Sequence, residues 1–141
     1  MPSRLGFVFV PAEAARAEDL ERAFAAFKQA KVEAVLVTAS PIYLASAGEV
    51  ARLAQAAGWP TVCEWQEMAR AACLASFGPV IGELRTRVGA IVAQVLRGAR
   101  PAEIPIEQPT RFELTLNLKT ALALGVNIPQ TQRLRADEVV E

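Results

Sequence analysis

Along the chain, short runs of apolar residues alternate with longer stretches in which apolar side chains recur every three or four positions. The runs are typical of strands buried in a sheet, and the recurring positions are typical of helices with one apolar face. The predicted strands cover residues 5–10, 32–38, 60–63 and 74–76. The predicted helices cover residues 18–31, 43–57, 64–72 and 80–97. We therefore expect an α/β fold with a mostly parallel, doubly wound sheet and helices on both faces.

The last third of the chain has a different pattern. Residues 101–109 are rich in Pro and Glu and form the only candidate linker within one predicted domain, residues 1–141. Residues 112–118 alternate between apolar and polar side chains, which predicts a strand with one face in water. A short helix is expected up to Gly125, and the polar tail beyond Pro129 carries no predicted element. By contrast, residues 32–38 are nearly all apolar, which predicts a strand covered on both faces.

Composition excludes several classes of protein. Lys plus Arg and Asp plus Glu each number 15, so the net charge is zero and we expect no nucleic-acid partner. No apolar run approaches the roughly 20 residues that span a bilayer. The first residues also lack the features of a secretory signal, which favours a cytoplasmic location if the chain is a natural full-length product.

The side chains offer little for catalysis. The chain contains no histidine, the commonest general base and metal ligand. Ser40 and Ser76 follow predicted strands but have no evident base beside them. No glycine-rich phosphate loop is present. We therefore expect no enzyme activity, no cofactor and no metal site.

Cys63 and Cys73 are interpreted as two small buried side chains, with a single disulfide as the alternative if the protein is exported.

Polar and aromatic residues follow three of the predicted strands. Because ligands bind outside the carboxyl ends of strands in such sheets, we expect these residues to form a small-molecule site. The predicted ligand-binding residues are Thr38, Ala39, Ser40, Pro41, Glu64, Trp65, Ser76, Phe77 and Gly78. Glu64 and Trp65 could hold an ammonium group through a salt bridge and a cation–π contact. Alternatively, Glu64 begins the next helix and Trp65 packs against it. Acid catalysis by Glu64 and Glu67 is the less favoured interpretation.

Three stretches carry a resemblance to a known family. They read ERAFAAFKQAKVEAVLVTASP, WPTVCEWQEMARAACLASFGP and GARPAEIPIEQPTRFELTLNLKTALALGVNIP. Together they resemble the carboxyl-terminal part of ABC-transporter substrate-binding proteins of the tryptophan or aromatic amino-acid type. The last stretch is the most specific, because the family shows a strand reading roughly FELVINLKTAKALGL. Two departures stand out: Phe77 replaces a usual tyrosine, and residues 71–73 replace frequent glycines.

The resemblance implies one lobe of a type I periplasmic-binding fold, with the ligand held between two lobes. It also implies a small solute such as an amino acid, an ABC permease as partner and a periplasmic location. The amino-terminal lobe and the first strand of the second lobe have no counterpart here. We therefore expect either a truncated solute-binding relative or, alternatively, a non-transporting dimerisation or sensor module built on the same lobe.

The long helix over residues 80–98 bears on that choice. It carries a continuous apolar stripe, which in two-lobed relatives would face the other lobe. The stripe consists of Ile81, Leu84, Val88, Ile91, Val92 and Val95. Left in water, these side chains would each forfeit roughly 1.5–3 kcal/mol. We therefore expect the helix to pack on a missing lobe or a partner chain, and we predict a homodimer through this stripe.

Overall fold

The computed structural model describes residues 6–141. Seven α-helices and five strands follow one another along this part of the chain. The helices are α1 (Asp19–Gln29), α2 (Pro41–Ala45), α3 (Ala47–Ala57), α4 (Gln66–Arg70), α5 (Ile81–Leu96), α6 (Leu118–Ala123) and α7 (Gln130–Arg133). The strands are β1 (Val35–Val37), β2 (Thr61–Cys63), β3 (Ala75–Pro79), β4 (Phe112–Asn117) and β5 (Glu138–Val140). A 3-10 turn, Pro101–Glu103, lies in the loop before β4.

The strands form one sheet in the order β1-β2-β3-β4-β5. Neighbours β1 and β2, β2 and β3, and β4 and β5 are parallel. The exception is β4, which follows α5 and the long loop and runs antiparallel to β3. The predicted fold class, an α/β sheet with helices on both faces, is confirmed.

The main core lies between one face of the sheet and helices α1, α3 and α4. Val35, Val37 and Cys63 point into it from the strands, and Val50 and Met68 fill it from the helices. Helix α3 ends at Gly58, whose φ of 70° is a left-handed conformation that glycine adopts without a steric cost. Trp59 follows and stacks on Phe24 of α1, with ring centroids 6.1 Å apart. This stacking fixes the end of α3 to α1.

A second, smaller core covers the opposite face of the sheet at β4. Leu116, Ala121 and Ile128 are its buried members. Leu114 and Ala136 pack beside them. Helix α6 begins at Asn117, whose side-chain oxygen accepts a hydrogen bond from the backbone of Thr120 at 2.9 Å. The same side chain donates to the carbonyl of Ala69 at 2.8 Å and so joins the two sides of the sheet.

Two predictions of buried strands are wrong. Leu5 lies outside the described residues, and residues 6–10 form no strand and are exposed, Val8 at 74%. An apolar run is buried only where it joins a packed core, and residues 6–10 are members of neither the five-stranded sheet nor the two core clusters of the described chain. Strand β1 is likewise covered on one face only, because Leu36 on its other face is 61% exposed.

Other differences concern element boundaries. The predicted helix over residues 43–57 is two helices, which separate at Ser46. Residues 76–78, expected in a loop, lie inside β3 because β4 pairs with them. The polar tail contains α7 and β5, which the sequence pattern did not indicate. These short elements depend on contacts with distant strands, and such contacts leave little periodicity in the sequence.

Helix α5 is confirmed as an element, and its apolar stripe lies largely in water. Ile81 at its first turn is its one buried residue in the described chain. Val88 is 60% exposed, Val92 50% and Leu96 82%. Within residues 6–141, no helix is both long enough and apolar enough to cross a bilayer.

Candidate ligand-binding edge

Strands β1, β2 and β3 are parallel neighbours, so their carboxyl ends lie along one edge of the sheet. We call this edge the ligand edge; it comprises residues 38–41, 64–65 and 77–79. Strand β4 begins at the same edge, since Phe112 pairs with Pro79. The topology thus brings together the ends of all three strands on which the predicted site depends.

The first loop of the ligand edge is shaped by a helix cap. The hydroxyl of Ser40 accepts a hydrogen bond from the backbone of Ile42 at 3.3 Å and so begins α2. Pro41 occupies the first position of that helix, where its missing N–H costs nothing. Thr38 and Ala39 are exposed. The loop therefore presents the side chain of Thr38 and its own backbone groups to solvent.

The second loop is packed directly against the third strand. A Cβ atom on Gly78 would lie 2.1 Å from the carbonyl oxygen of Glu64, so only glycine permits this approach. Glu64 and Trp65 are half-buried and lie between β2 and α4. Glu64 forms no ion pair with any residue in the described range 6–141. Trp65 immediately precedes α4 but makes no side-chain cap.

The remaining predicted residues point to opposite faces of β3. Ser76 is buried beneath α4 with 1% exposure, so its hydroxyl does not reach solvent. That hydroxyl and the one on Thr115, its partner in β4, have no hydrogen-bond partner among residues 6–141. Phe77 lies on the other face, 59% exposed, with its ring stacked on Phe112 at 5.8 Å. Phe77 and Gly78 thus belong to the edge, whereas Ser76 belongs to the interior.

Two arginines, Arg111 beside Phe112 and Arg70 in α4, are already paired with carboxylates. Arg111 pairs with Glu83 at 2.9 Å and with Glu113 at 2.6 Å, and the hydrogen bond that it donates to Glu83 raises the pKa of its guanidinium. Arg70 donates two hydrogen bonds of 2.8 Å to Glu138, and these bonds are the main reason why the pKa of Arg70 is raised. The edge therefore offers a carboxylate and aromatic rings, which suit a cationic group better than an anion.

A disulfide lies directly behind the second loop. Cys63, the last residue of β2, is bonded to Cys73, and the two Cα atoms are 6.6 Å apart. Both residues are buried, as expected, but the interpretation as two separate small side chains is wrong. Ala72, beside the bridge, has a φ of 97°, which glycine tolerates and alanine does not. The glycines that the resembling family carries in this stretch fit that conformation.

The described residues contain no cluster of three or more Cys, Asp or Glu that could hold a metal ion. Two surface depressions are present in the described chain, and neither is lined by residues of the ligand edge. The larger, of about 470 Å³, is bordered by Asn127, Ile128, Pro129, Gln130, Arg133 and Leu134. The smaller, of about 360 Å³, lies on α5. The ligand edge is an open surface and not a cavity. It could enclose a ligand only if a second protein surface faced it.

This architecture, an α/β sheet with polar loops at its strand ends, matches periplasmic-binding-protein-like folds. The family model described as ABC transporter substrate binding protein matches residues 2–140. The chain therefore belongs to the ABC transporter substrate-binding protein family. This is a family of solute-binding proteins, typically periplasmic or otherwise extracytoplasmic. A comparison with curated proteins finds no match.

Solved structures share the fold at low sequence identity. A conserved domain protein from Vibrio cholerae superposes with a TM-score of 0.89 at 20% identity, over 96% of this chain and 46% of its own. An ABC domain in complex with L-Trp from Streptococcus pneumoniae gives 0.88 at 23% identity, over 97% and 46%. A ligand-free, open substrate-binding protein with adhesive properties from Clostridium difficile gives 0.64 at 17%, over 96% and 45%. The chain thus spans less than half the length of these proteins.

Sequence reasoning did not identify two features of the ligand edge. Phe112 was assigned to a strand but not to the site, because its stacking on Phe77 depends on the antiparallel pairing of β3 and β4. The contact between Gly78 and Glu64 crosses between neighbouring strands. The one available signal was the glycine itself, since a glycine inside a strand often marks a close backbone approach.

Proposed function

We propose that this chain supplies one wall of a solute-binding site in an ABC transport system, and that the wall is the ligand edge. The observation that carries the proposal is the packing of Glu64 on Gly78, which unites two of the three candidate loops. A ligand there meets the Glu64 carboxylate, the Trp65 indole and the Phe77 ring. This combination favours a small molecule with an ammonium group and an apolar or aromatic body, such as an amino acid.

The chemistry of recognition follows from these groups. The carboxylate of Glu64 accepts charge-assisted hydrogen bonds from an ammonium, while aromatic faces attract the same cation or stack on a ring. Thr38 and the backbone of residues 38–41 offer further polar partners. L-Trp, present in one similar structure, is therefore the first solute to test on this chain.

The test is a calorimetric titration of the chain with L-Trp, L-Phe and L-Leu. We expect binding, and we expect Glu64→Gln to weaken it by about tenfold to a hundredfold through loss of the charge-assisted contact. Glu33→Gln is the matched control, because Glu33 precedes β1 at the opposite end of the strands. If Glu64→Gln and Glu33→Gln bind equally well, the ligand edge is not the site.

The proposal extends to partners and location. We propose an ABC permease as the acceptor of the solute, as the family implies. We also propose a periplasmic or other extracytoplasmic location for this chain, in place of the cytoplasmic alternative. The Cys63–Cys73 disulfide supports this location, since such bonds persist in oxidising compartments and are rare in the cytosol.

The apolar stripe of α5 is proposed as the contact surface for a second copy of the chain. Of the predicted contact residues Ile81, Leu84, Val88, Ile91 and Val95, Ile81 is already buried within the chain, so the homodimer would form through the other four. The exposure of Val88 supports this assignment, because a large apolar side chain in water gains by association. In a longer, two-lobed protein the same surface would meet the other lobe, which would account for the half-length match.

The second candidate function is a non-transporting dimerisation or sensor module. Two observations favour this second function: the apolar stripe of α5 is exposed, and the ligand edge does not enclose a cavity. A thermal-shift screen with amino acids separates the two functions, because a bound ligand raises the melting temperature by mass action. A shift with any of them supports solute binding, whereas no shift in a chain that still dimerises supports the module.

A further inference from the structure

The disulfide occupies a particular place in the proposed site. Cys63 directly precedes Glu64, and the bridge to Cys73 closes a loop that contains Glu64, Trp65 and all of α4. On the strand side, Val62 and Cys63 pair with Ala75 and Ser76. Both ends of the loop are therefore anchored in adjacent strands, and the bridge joins the two anchors.

Within this loop, the segment before α4, residues 64–65, has few other means of holding its shape. Helix α4 has five residues, and isolated helices shorter than about 12 residues are marginal in water. Ala72 ends this stretch in a conformation that disfavours alanine. Met68 and Ala69 are buried and hold the middle of the helix, but Glu64 and Trp65 are only half-buried. The loop segment before α4 therefore depends on its covalent anchor at Cys63.

We propose that Cys63 and Cys73 are positioning residues for the ligand edge: their bond keeps Glu64 against Gly78 and Trp65 at the start of α4. The inference rests on the proposed solute-binding function and extends it to residues that touch no ligand. A bridge across a loop of this size lowers the population of disordered loop conformations by about a hundredfold in the chain-entropy model. Without the bridge, binding must select the ordered loop from a larger ensemble, which weakens the observed affinity.

The first experiment needs no ligand. Hydrogen–deuterium exchange of the 141-residue chain is compared before and after reduction by a phosphine, with the gain of two thiols checked by mass. We expect exchange at residues 64–73 to accelerate at least tenfold on reduction. We expect α1 and α3 to keep their rates. Unchanged exchange at residues 64–73 would overturn the proposal. An equal acceleration across the whole chain would also overturn it, because the bridge would then stabilise the whole fold and not this loop in particular.

The second experiment measures L-Trp binding to the oxidised chain, the reduced chain and the reoxidised chain. We expect the Kd to rise about tenfold on reduction and to return on reoxidation. Val50→Ala is the matched control, because Val50 is buried in α3 and its truncation lowers stability without touching the loop. An affinity loss in Val50→Ala equal to that of the reduced chain would overturn the positioning role.

A double variant removes any dependence on the reductant. Cys63→Ala with Cys73→Val keeps most of the buried volume while preventing the bond, and it should reproduce the weak binding and fast exchange of the reduced chain. If the oxidised chain binds none of the tested amino acids, the proposed function fails. The exchange measurement still decides whether the bridge orders residues 64–73.

Discussion

Helix α4 is short but largely buried, whereas helix α5 is long but largely exposed. The five residues of α4 contain two fully buried side chains, Met68 and Ala69, and the helix packs on β2, β3 and β4. The sixteen residues of α5 contain one buried side chain, Ile81. Propensity and an apolar stripe are therefore enough to predict a helix but not to predict what covers it. The exposure of most of its apolar stripe is the reason why α5 is proposed as a contact surface.

The largest expected effect is a difference between one truncation in each helix. Met68→Ala removes a side chain that is 1% exposed and should lower the free energy of unfolding by about 2–5 kcal/mol. Leu96→Ala at the end of α5 should change it by no more than about 0.5 kcal/mol. Urea unfolding of both variants measures this. Equal losses would mean that α5 is as well packed as α4.

Asn117 sharpens the same comparison, because it fixes α4 to the sheet. Its amide donates to Ala69 and its oxygen caps α6. Asn117→Ala should cost about 2–3 kcal/mol, since it leaves a buried carbonyl and a helix N–H unpaired. The exposed Asn127→Ala is the control and should be neutral within about 0.5 kcal/mol. A neutral Asn117→Ala in urea unfolding would show that α4 is held by apolar packing alone.

The residue after α4 gives a smaller effect of opposite sign. Ala72 has a φ of 97°, so Ala72→Gly should raise stability by about 1 kcal/mol. Ala71, with a φ of −82°, is the control, and Ala71→Gly should lower stability by about 0.5–1 kcal/mol. Thermal unfolding would detect both changes. A lower melting temperature for Ala72→Gly would contradict the assigned backbone strain.

The smallest expected effect concerns how α5 is held to its own loop. Arg87 of α5 forms an ion pair with Glu107, and the hydrogen bond from Arg87 lowers the pKa of that carboxyl below its usual value. The attachment is therefore complete above the usual pKa of a glutamate and is lost as the pH falls through the lowered pKa. Amide exchange across residues 101–109 should rise in that acid range. Glu107→Gln should abolish the pH dependence, and a dependence that survives the substitution would assign it to another group.

Elements with strong local patterns were predictable from the sequence. The runs around β1 and β2 and the stripe of α5 have clear periods, and Gly58 marks the end of α3 through its left-handed φ. A local sequence pattern does not show which strands pair when they are far apart in the sequence. The position of Ser76 inside the sheet follows from β4, and β5 has only three residues. The bond between Cys63 and Cys73 likewise depends on two neighbouring strands, which a spacing of ten residues does not reveal.

The most direct test of the uncovered α5 stripe is the molar mass of the chain in solution. Light scattering at micromolar concentration should give twice the 15.2 kDa of one chain. Val88→Glu, which places a charge in the stripe, should return the mass to that of one chain without unfolding it. A single 15.2 kDa species for the unmodified chain would contradict the assignment of α5 as a surface that joins two copies.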